Sequence, residues 1–314
     1  MGETFAATIP VFLVILLGGG LAYRQYVPPG TWAQFQKLNY YAFIPALFLS
    51  GLSVADFSDA PLLRIVVTVA ATLGAAAAVV WVWRSRSTRA AKLGPQILEA
   101  SIRGNVPYGM GIALALGGTE GLALFLVAAA TYLPTAILAG GLFNHFVGRQ
   151  DLDPEAEQEY ALASAFRLLA TNPIIWGAGV GIALNVANIP LVSGVAAMVQ
   201  VFGYAAVPVG LLGAGAALNI AAAQNALDAA RGAAMGSLAL NLLVLPLGAG
   251  VLALTLNLEG PAAISVVLIA ALPCVVPRFS VLGKDAQKSI LPGVATMATL
   301  ASALTVPVAL WLLT

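Results

Sequence analysis

Ten stretches of mostly apolar residues, each cut off by charges or turn residues, constrain this chain more than any other feature of it. A membrane-spanning helix needs roughly 20 such residues, because the hydrocarbon core is about 30 Å thick and an α-helix rises about 1.5 Å per residue. The stretches lie near 4–22, 33–54, 61–83, 95–117, 119–143, 166–186, 191–217, 229–255, 260–282 and 289–312. They are continuously apolar, which excludes the alternating strands of a β-barrel. Composition agrees: of 314 residues 60% are hydrophobic and 9% charged, with a mean hydropathy of +0.94. Soluble domains carry about 25% charged residues. The 14 Lys and Arg and 13 Asp and Glu could not coat a soluble surface of this size, so a soluble enzyme, a disordered chain and a disulfide scaffold are excluded. The expected fold is an all-α membrane protein with ten transmembrane helices. A net charge of +1 gives no reason to expect a nucleic-acid partner. Cys274 and His145 are each the only residue of their kind, which leaves no internal disulfide and no usual zinc site; no cofactor or metal is expected.

Charge sets the expected orientation. With ten crossings, one set of loops carries Arg24 and Lys37, then Arg84, Arg86, Arg89 and Lys92, then Arg149, Arg231, Lys284 and Lys288. The loops on the side of the termini carry Asp56, Asp59, Glu120 and Glu259 and no Lys or Arg. The positive-inside bias then puts both termini outside a cytoplasmic membrane. Trp32, Trp81, Trp83, Trp176 and Trp311 fall near span ends, as an aromatic belt does. Met1-Gly2-Glu3-Thr4 lacks the basic flank of a signal peptide, so the first stretch is read as a retained span.

The halves 1–143 and 166–314 resemble each other. Pro10 and Pro45 are spaced like Pro173 and Pro208, and Gly18 and Gly181 share their offset. Pro107 matches Pro273, and Gly117 matches Gly283, at a slightly different offset. Five spans per half make the second half inverted, the plan of secondary transporters. The polar segment 144–165 between them reads as a short cytoplasmic linker helix, opened by Asp153-Pro154.

Two spans are broken. The fourth contains Arg103-Gly104-Asn105-Val106-Pro107-Tyr108-Gly109, and the ninth contains Pro273-Cys274-Val275-Val276-Pro277-Arg278. Glycine relaxes the backbone, and proline removes a donor and clashes with the preceding turn. Inside lipid such irregular backbone is tolerated only against protein or a water-filled cavity. Counting about 1.5 Å per residue from the span ends puts both breaks near the midplane, about 15 Å deep. The half-helices after Pro107 and Pro277 would present free amides and partial positive charge to an anion. Arg103 and Arg278 either attract a carboxylate or snorkel to the headgroups, and Arg103 has Glu99 as an alternative partner. The candidate substrate site is therefore Arg103, Gly104, Asn105, Pro107 and Tyr108 from the fourth span, Pro273, Cys274, Pro277 and Arg278 from the ninth, and Asn39 from the second. Asn39, Asn219 and Asn241 could equally be polar contacts between packed helices. Arg64 is expected to snorkel and Asn172-Pro173 to cap a helix. No Asp or Glu falls in the centre of a span, where proton relays and sodium sites commonly place one.

These residues resemble the auxin efflux carrier family over nearly the whole chain. The resemblance rests on Leu38-Asn39-Tyr40-Tyr41-Ala42-Phe43-Ile44-Pro45-Ala46-Leu47, on Arg103-Gly104-Asn105 followed by Gly109-Met110-Gly111, and on Asn172-Pro173 leading to Val207-Pro208-Val209-Gly210. It implies two inverted five-helix repeats, with helices 4 and 9 broken and crossing. It further implies a scaffold of helices 1, 2, 6 and 7, often a homodimer, and a mobile part of helices 3–5 and 8–10. Asn105, Pro107 and Pro273 would be crossover residues, and the substrate an organic anion, auxin in plants and dicarboxylates in bacteria. The second proline and the arginine of Pro273-Cys274-Val275-Val276-Pro277-Arg278 depart from the family pattern. The expected function is thus alternating-access transport of a small carboxylate, with no enzymatic activity. The alternatives are a sodium-coupled symporter of the bile-acid type and a membrane sensor that does not transport.

Overall fold

A computed structural model describes residues 2–147, 154–275 and 290–312. Among these the chain is helical throughout, apart from short turns and two interruptions. α1 runs Gly2–Tyr23. α2 (Pro29–Leu38) continues through a π-helical turn, Asn39–Phe43, into α3 (Ile44–Ser53). The same device joins α10 (Ile220–Ala239), through Leu240–Val244, to α11 (Leu245–Thr255). Each π turn is followed two residues later by a proline, Pro45 or Pro246. Proline has no amide for the carbonyl four residues back, and its ring pushes that carbonyl away, so the helix widens locally and still stays continuous.

The remaining helices are α4 (Leu62–Arg86), α5 (Thr88–Ile102), α6 (Val106–Val147), α7 (Pro154–Thr171), α8 (Pro173–Val186), α9 (Ser193–Ala216), α12 (Gly260–Ala270) and α13 (Leu291–Trp311). α6 turns sharply at Gly118, whose φ of 59° and ψ of −145° suit only glycine. That is the boundary expected between the fourth and fifth stretches. α7 and α8 meet at 54°, where the Asn172 side chain accepts the amides of Ile174 and Ile175 at 2.9 and 3.4 Å and Pro173 opens α8. Among the described residues six helices, or seven with that bent pair, are long and apolar enough to cross a membrane, the composition of a multi-pass membrane protein.

Three expected boundaries move. α5 begins at Thr88, seven residues before 95, and carries Pro95 inside it. α10 begins at Ile220, nine residues before 229, because the Asn219 side chain caps it by accepting from Ala222 N at 2.9 Å. Asp228 and Arg231 flank a kink in α10 at Ala230, whose φ of −152° and ψ of 51° are not helical, so the part of α10 beyond it starts close to the expected 229. The linker helix does not end at 165 but runs on to Thr171. Arg64 caps the end of α11, its guanidinium donating to the carbonyl of Asn257 at 3.1 Å.

Small residues set the packing. α1 lies on α9 where a Cβ on Gly18 or Gly215 would strike the backbone of Leu212 or Ile15. α3 lies on α8 where Gly177 and Gly181 face the backbone of Pro45 and Leu49. Such close approach is how helices associate when lipid offers no hydrophobic driving force. On the other side α4, α12 and α5 gather around α6, and α13 packs on α10. The seam between these groups runs along α6, which touches α1, α3 and α9.

Candidate functional site

α5 stops at Ile102 and α6 starts at Val106; α12 stops at Ala270 and the chain is extended to Val275. The two gaps pair as an antiparallel bridge centred on Gly104 and Cys274. Asn105 N donates to the Pro273 carbonyl at 3.0 Å, and Val275 N donates to the Arg103 carbonyl at 2.8 Å. The pair is two-fold in register: adding 170 to 103 and 105 gives 273 and 275. That offset differs from the one in the sequence match of Pro107 with Pro273 (273 − 107 = 166); it is the local symmetry of an antiparallel bridge, in which Pro273 pairs with Asn105.

Backbone freed from a helix must find partners in a dry interior. Two side chains supply them, in equivalent places. The Tyr132 hydroxyl, from α6, accepts from Gly104 N at 2.6 Å and donates to the Ile102 carbonyl at 2.5 Å. Asn241, in the π turn after α10, accepts from Cys274 N at 3.2 Å and donates to the Leu272 carbonyl at 3.0 Å. Residues 102 and 104 correspond to 272 and 274 under the same register. Asn241 also donates to the Ser101 carbonyl at 3.0 Å, so one amide holds both interrupted chains. The sequence reading missed Tyr132 and left Asn241 as a packing contact. A lone tyrosine or asparagine in an apolar helix carries no periodic signal; the freed donor and acceptor on either side of each break were the available hint.

A cavity of about 280 Å³ lies against the bridge, between α2, α6, α8 and α9. Of the expected site residues, Asn39, Arg103, Gly104, Asn105 and Pro107 line it, joined by Tyr40, Gln36 and Asn172 and by apolar walls such as Ile44, Leu133 and Ile174. Val275 is its contribution from the second break. Among the described residues, Arg103 is the only Lys or Arg in that lining. Its guanidinium sits 3.2 Å from the Glu99 carboxylate, with the arginine side chain 13% exposed and the glutamate 1%. The alternative of pairing with Glu99 is thus realised, while Arg103 still faces the cavity. Asn39 is 1% exposed, and neither atom of its amide has a hydrogen-bond partner. The Pro107 ring is pressed so closely on Gly210 of α9 that a Cβ there would lie 2.5 Å from the ring and 3.0 Å from the Asn39 amide nitrogen.

Three expected site residues face elsewhere. Tyr108 is fully buried and donates to the Ser302 carbonyl of α13 at 3.3 Å. Cys274 is 1% exposed and takes part through its backbone. Pro273 contributes its carbonyl to the bridge and does not line the cavity. Pro277 and Arg278 lie outside the described residues. The amides of α6 are also less free than expected: Pro107 has none, and those of Tyr108 and Gly109 donate to the Asn105 carbonyl at 3.0 and 3.4 Å.

A second cavity, about 1130 Å³, lies at the opposite ends of these helices, lined by Asp56, Asp59, Arg64, Glu120 and Glu259 among others. The Ser58 hydroxyl and amide hold the Asp56 carboxyl below its ordinary pKa. In the wall of this second cavity α3 meets α6, with Gly51 packed against Leu126. Comparison with known protein families and with curated proteins finds no match for this chain.

Proposed function

We propose that the chain is a secondary transporter of a small organic anion, of the auxin efflux carrier type, in which the bridged breaks form the floor of the substrate site. One observation carries this reading: backbone from two distant segments is unwound and cross-paired beside a cavity whose one cationic side chain, Arg103, reaches it together with the unpartnered amide of Asn39. Among the described residues a single cation faces apolar walls, which matches a monocarboxylate with an apolar body better than a dicarboxylate.

The reading includes ten crossings in two inverted repeats, and a reciprocal contact supports it. Gly18 meets Leu212, and Gly181 meets Leu49; 181 − 18 and 212 − 49 are both 163, so each contact is the other with the halves exchanged. Alternating access is supported by the two separate cavities, which both touch α3 and α6. The segregation of basic and acidic loops supports placing the termini outside the cytoplasmic membrane. A homodimer rests on the resemblance alone.

The test is a thermal-shift screen of mono- and dicarboxylic acids on the purified protein, followed by flux in proteoliposomes. An acid that binds the folded state raises its stability by mass action. A monocarboxylate is expected to do so, and Asn105→Ala is expected to abolish its flux in a folded protein. Arg103→Gln is expected to weaken its binding about tenfold, the loss of one charge-assisted hydrogen bond. Undiminished flux in Asn105→Ala and unchanged affinity in Arg103→Gln would overturn the assignment.

A further inference from the structure

Away from the crossover, a groove of about 420 Å³ lies between the second half of α4 and the end of α6. Its α4 wall is Gly74, Ala77, Ala78 and Trp81; its α6 wall runs from Thr135 to Phe143 and Phe146. A Cβ on Gly74 would meet nothing within 4 Å, so the groove is open there. At 1.5 Å per residue it extends about 10 Å along α4 and about 16 Å along α6, close to the roughly 15 Å of one hydrocarbon leaflet.

The groove has a chemically distinct end. The Trp81 ring meets Phe143 edge-on, with centroids 6.0 Å apart, and the Arg84 guanidinium sits 5.1 Å from the centroid of the Trp81 ring. Arg84 is half-buried, and its Nε has no hydrogen-bond partner and is shielded from solvent. Its stem packs beside Gly94 of α5. Arg84 makes no ion pair among the described residues, and the exposed Arg86 follows at the end of α4. A guanidinium held over an indole at the mouth of an apolar slot lacks an acceptor of opposite charge at headgroup level.

We infer that this groove binds one acyl chain of an anionic phospholipid, whose phosphate accepts from Arg84. A zwitterionic lipid could enter the slot equally well, but its headgroup offers no net charge to the two arginines. Each basic group near a membrane surface favours an anionic lipid about fivefold. Nothing in this assignment depends on the transported substrate, so it stands or falls apart from the carrier reading.

Trp81 reports on the site directly. The full-length protein is reconstituted in phosphatidylcholine containing increasing fractions of phosphatidylglycerol with brominated acyl chains, or brominated phosphatidylcholine as the comparison. The Trp81 signal is the difference between the native chain and Trp81→Phe. Half-maximal quenching of that signal is expected at a mole fraction of brominated phosphatidylglycerol at least about fivefold below that of phosphatidylcholine. Arg84→Gln should reduce the preference about fivefold, to what the exposed Arg86 alone supports, and Arg84→Lys should keep more of it. Gly74→Leu, which fills the open wall, should reduce quenching by both lipids. Identical curves for the two lipids, or a preference undiminished in Arg84→Gln, would overturn the inference. Circular dichroism of each variant separates loss of the site from loss of the fold.

Discussion

Replacing Asn241 by leucine separates a clamp on the crossover from an ordinary packing contact, because the two roles predict opposite signs. Leucine conserves most of the volume and suits an apolar interior, so at a packing position the change is neutral or stabilising. At the position observed, it removes three hydrogen bonds: to the carbonyls of Ser101 and Leu272 at 3.0 Å each, and from the amide of Cys274 at 3.2 Å. Interhelical hydrogen bonds in membrane proteins average about 0.6 kcal/mol, which gives a lower figure of about 2 kcal/mol for three. The orphaned Cys274 amide and Leu272 carbonyl have no water to turn to, and a buried unsatisfied group costs about 1–3 kcal/mol. The expected loss is therefore about 2–4 kcal/mol. At roughly 2–4 °C per kcal/mol for a chain of this size, the unfolding midpoint in detergent should fall by roughly 4–16 °C. Asn219→Ala, which removes only the cap of α10, should cost about 1 kcal/mol and serves as the reference. A midpoint for Asn241→Leu equal to or above that of the native chain would refute the clamp.

Three further outcomes follow from the same coordinates. Tyr132→Phe should destabilise more than Tyr108→Phe, because the first hydroxyl serves two backbone groups beside the break and the second serves a single carbonyl at 3.3 Å; unfolding midpoints in the reverse order would contradict this. Gly215→Ala should cost about 1–3 kcal/mol by overpacking α1 against α9, whereas Gly179→Ala, with open space at its Cβ, should be neutral or stabilising; equal midpoints would show that the close contact is not maintained. Gly210→Ala drives a Cβ into the Pro107 ring across the seam, so it should lower flux more than it lowers stability; normal flux would show that this contact does not shape the site.

The sequence was informative where local chemistry decides the backbone. The glycine at 118, the Asn172-Pro173 cap and the interruptions near Pro107 and Pro273 each follow from what one or two residues permit. It was silent where the deciding contact is distant. Tyr132 lies 28 residues from the Gly104 amide it accepts from, and Asn241 lies 140 residues from the Ser101 carbonyl it donates to. Neither stands out from its own helix, so neither pairing could be read along the chain. The pairing of the two breaks is distant in the same way: the Pro273 carbonyl accepts from the Asn105 amide far along the chain. The inward face of Tyr108 was likewise undecidable, since α6 is apolar on every side and its periodicity does not distinguish cavity from core.

The central claim, that two interrupted helices from distant segments line one aqueous cavity, is tested most directly by thiol accessibility. Cys274 is the only cysteine and is buried, so the native chain should stay unmodified by a charged, membrane-impermeant thiol reagent. In a Cys274→Ala background, Asn105→Cys and Val275→Cys carried singly should both react, and from the same face of the membrane. Modification of neither, or modification of the two from opposite faces, would contradict the account.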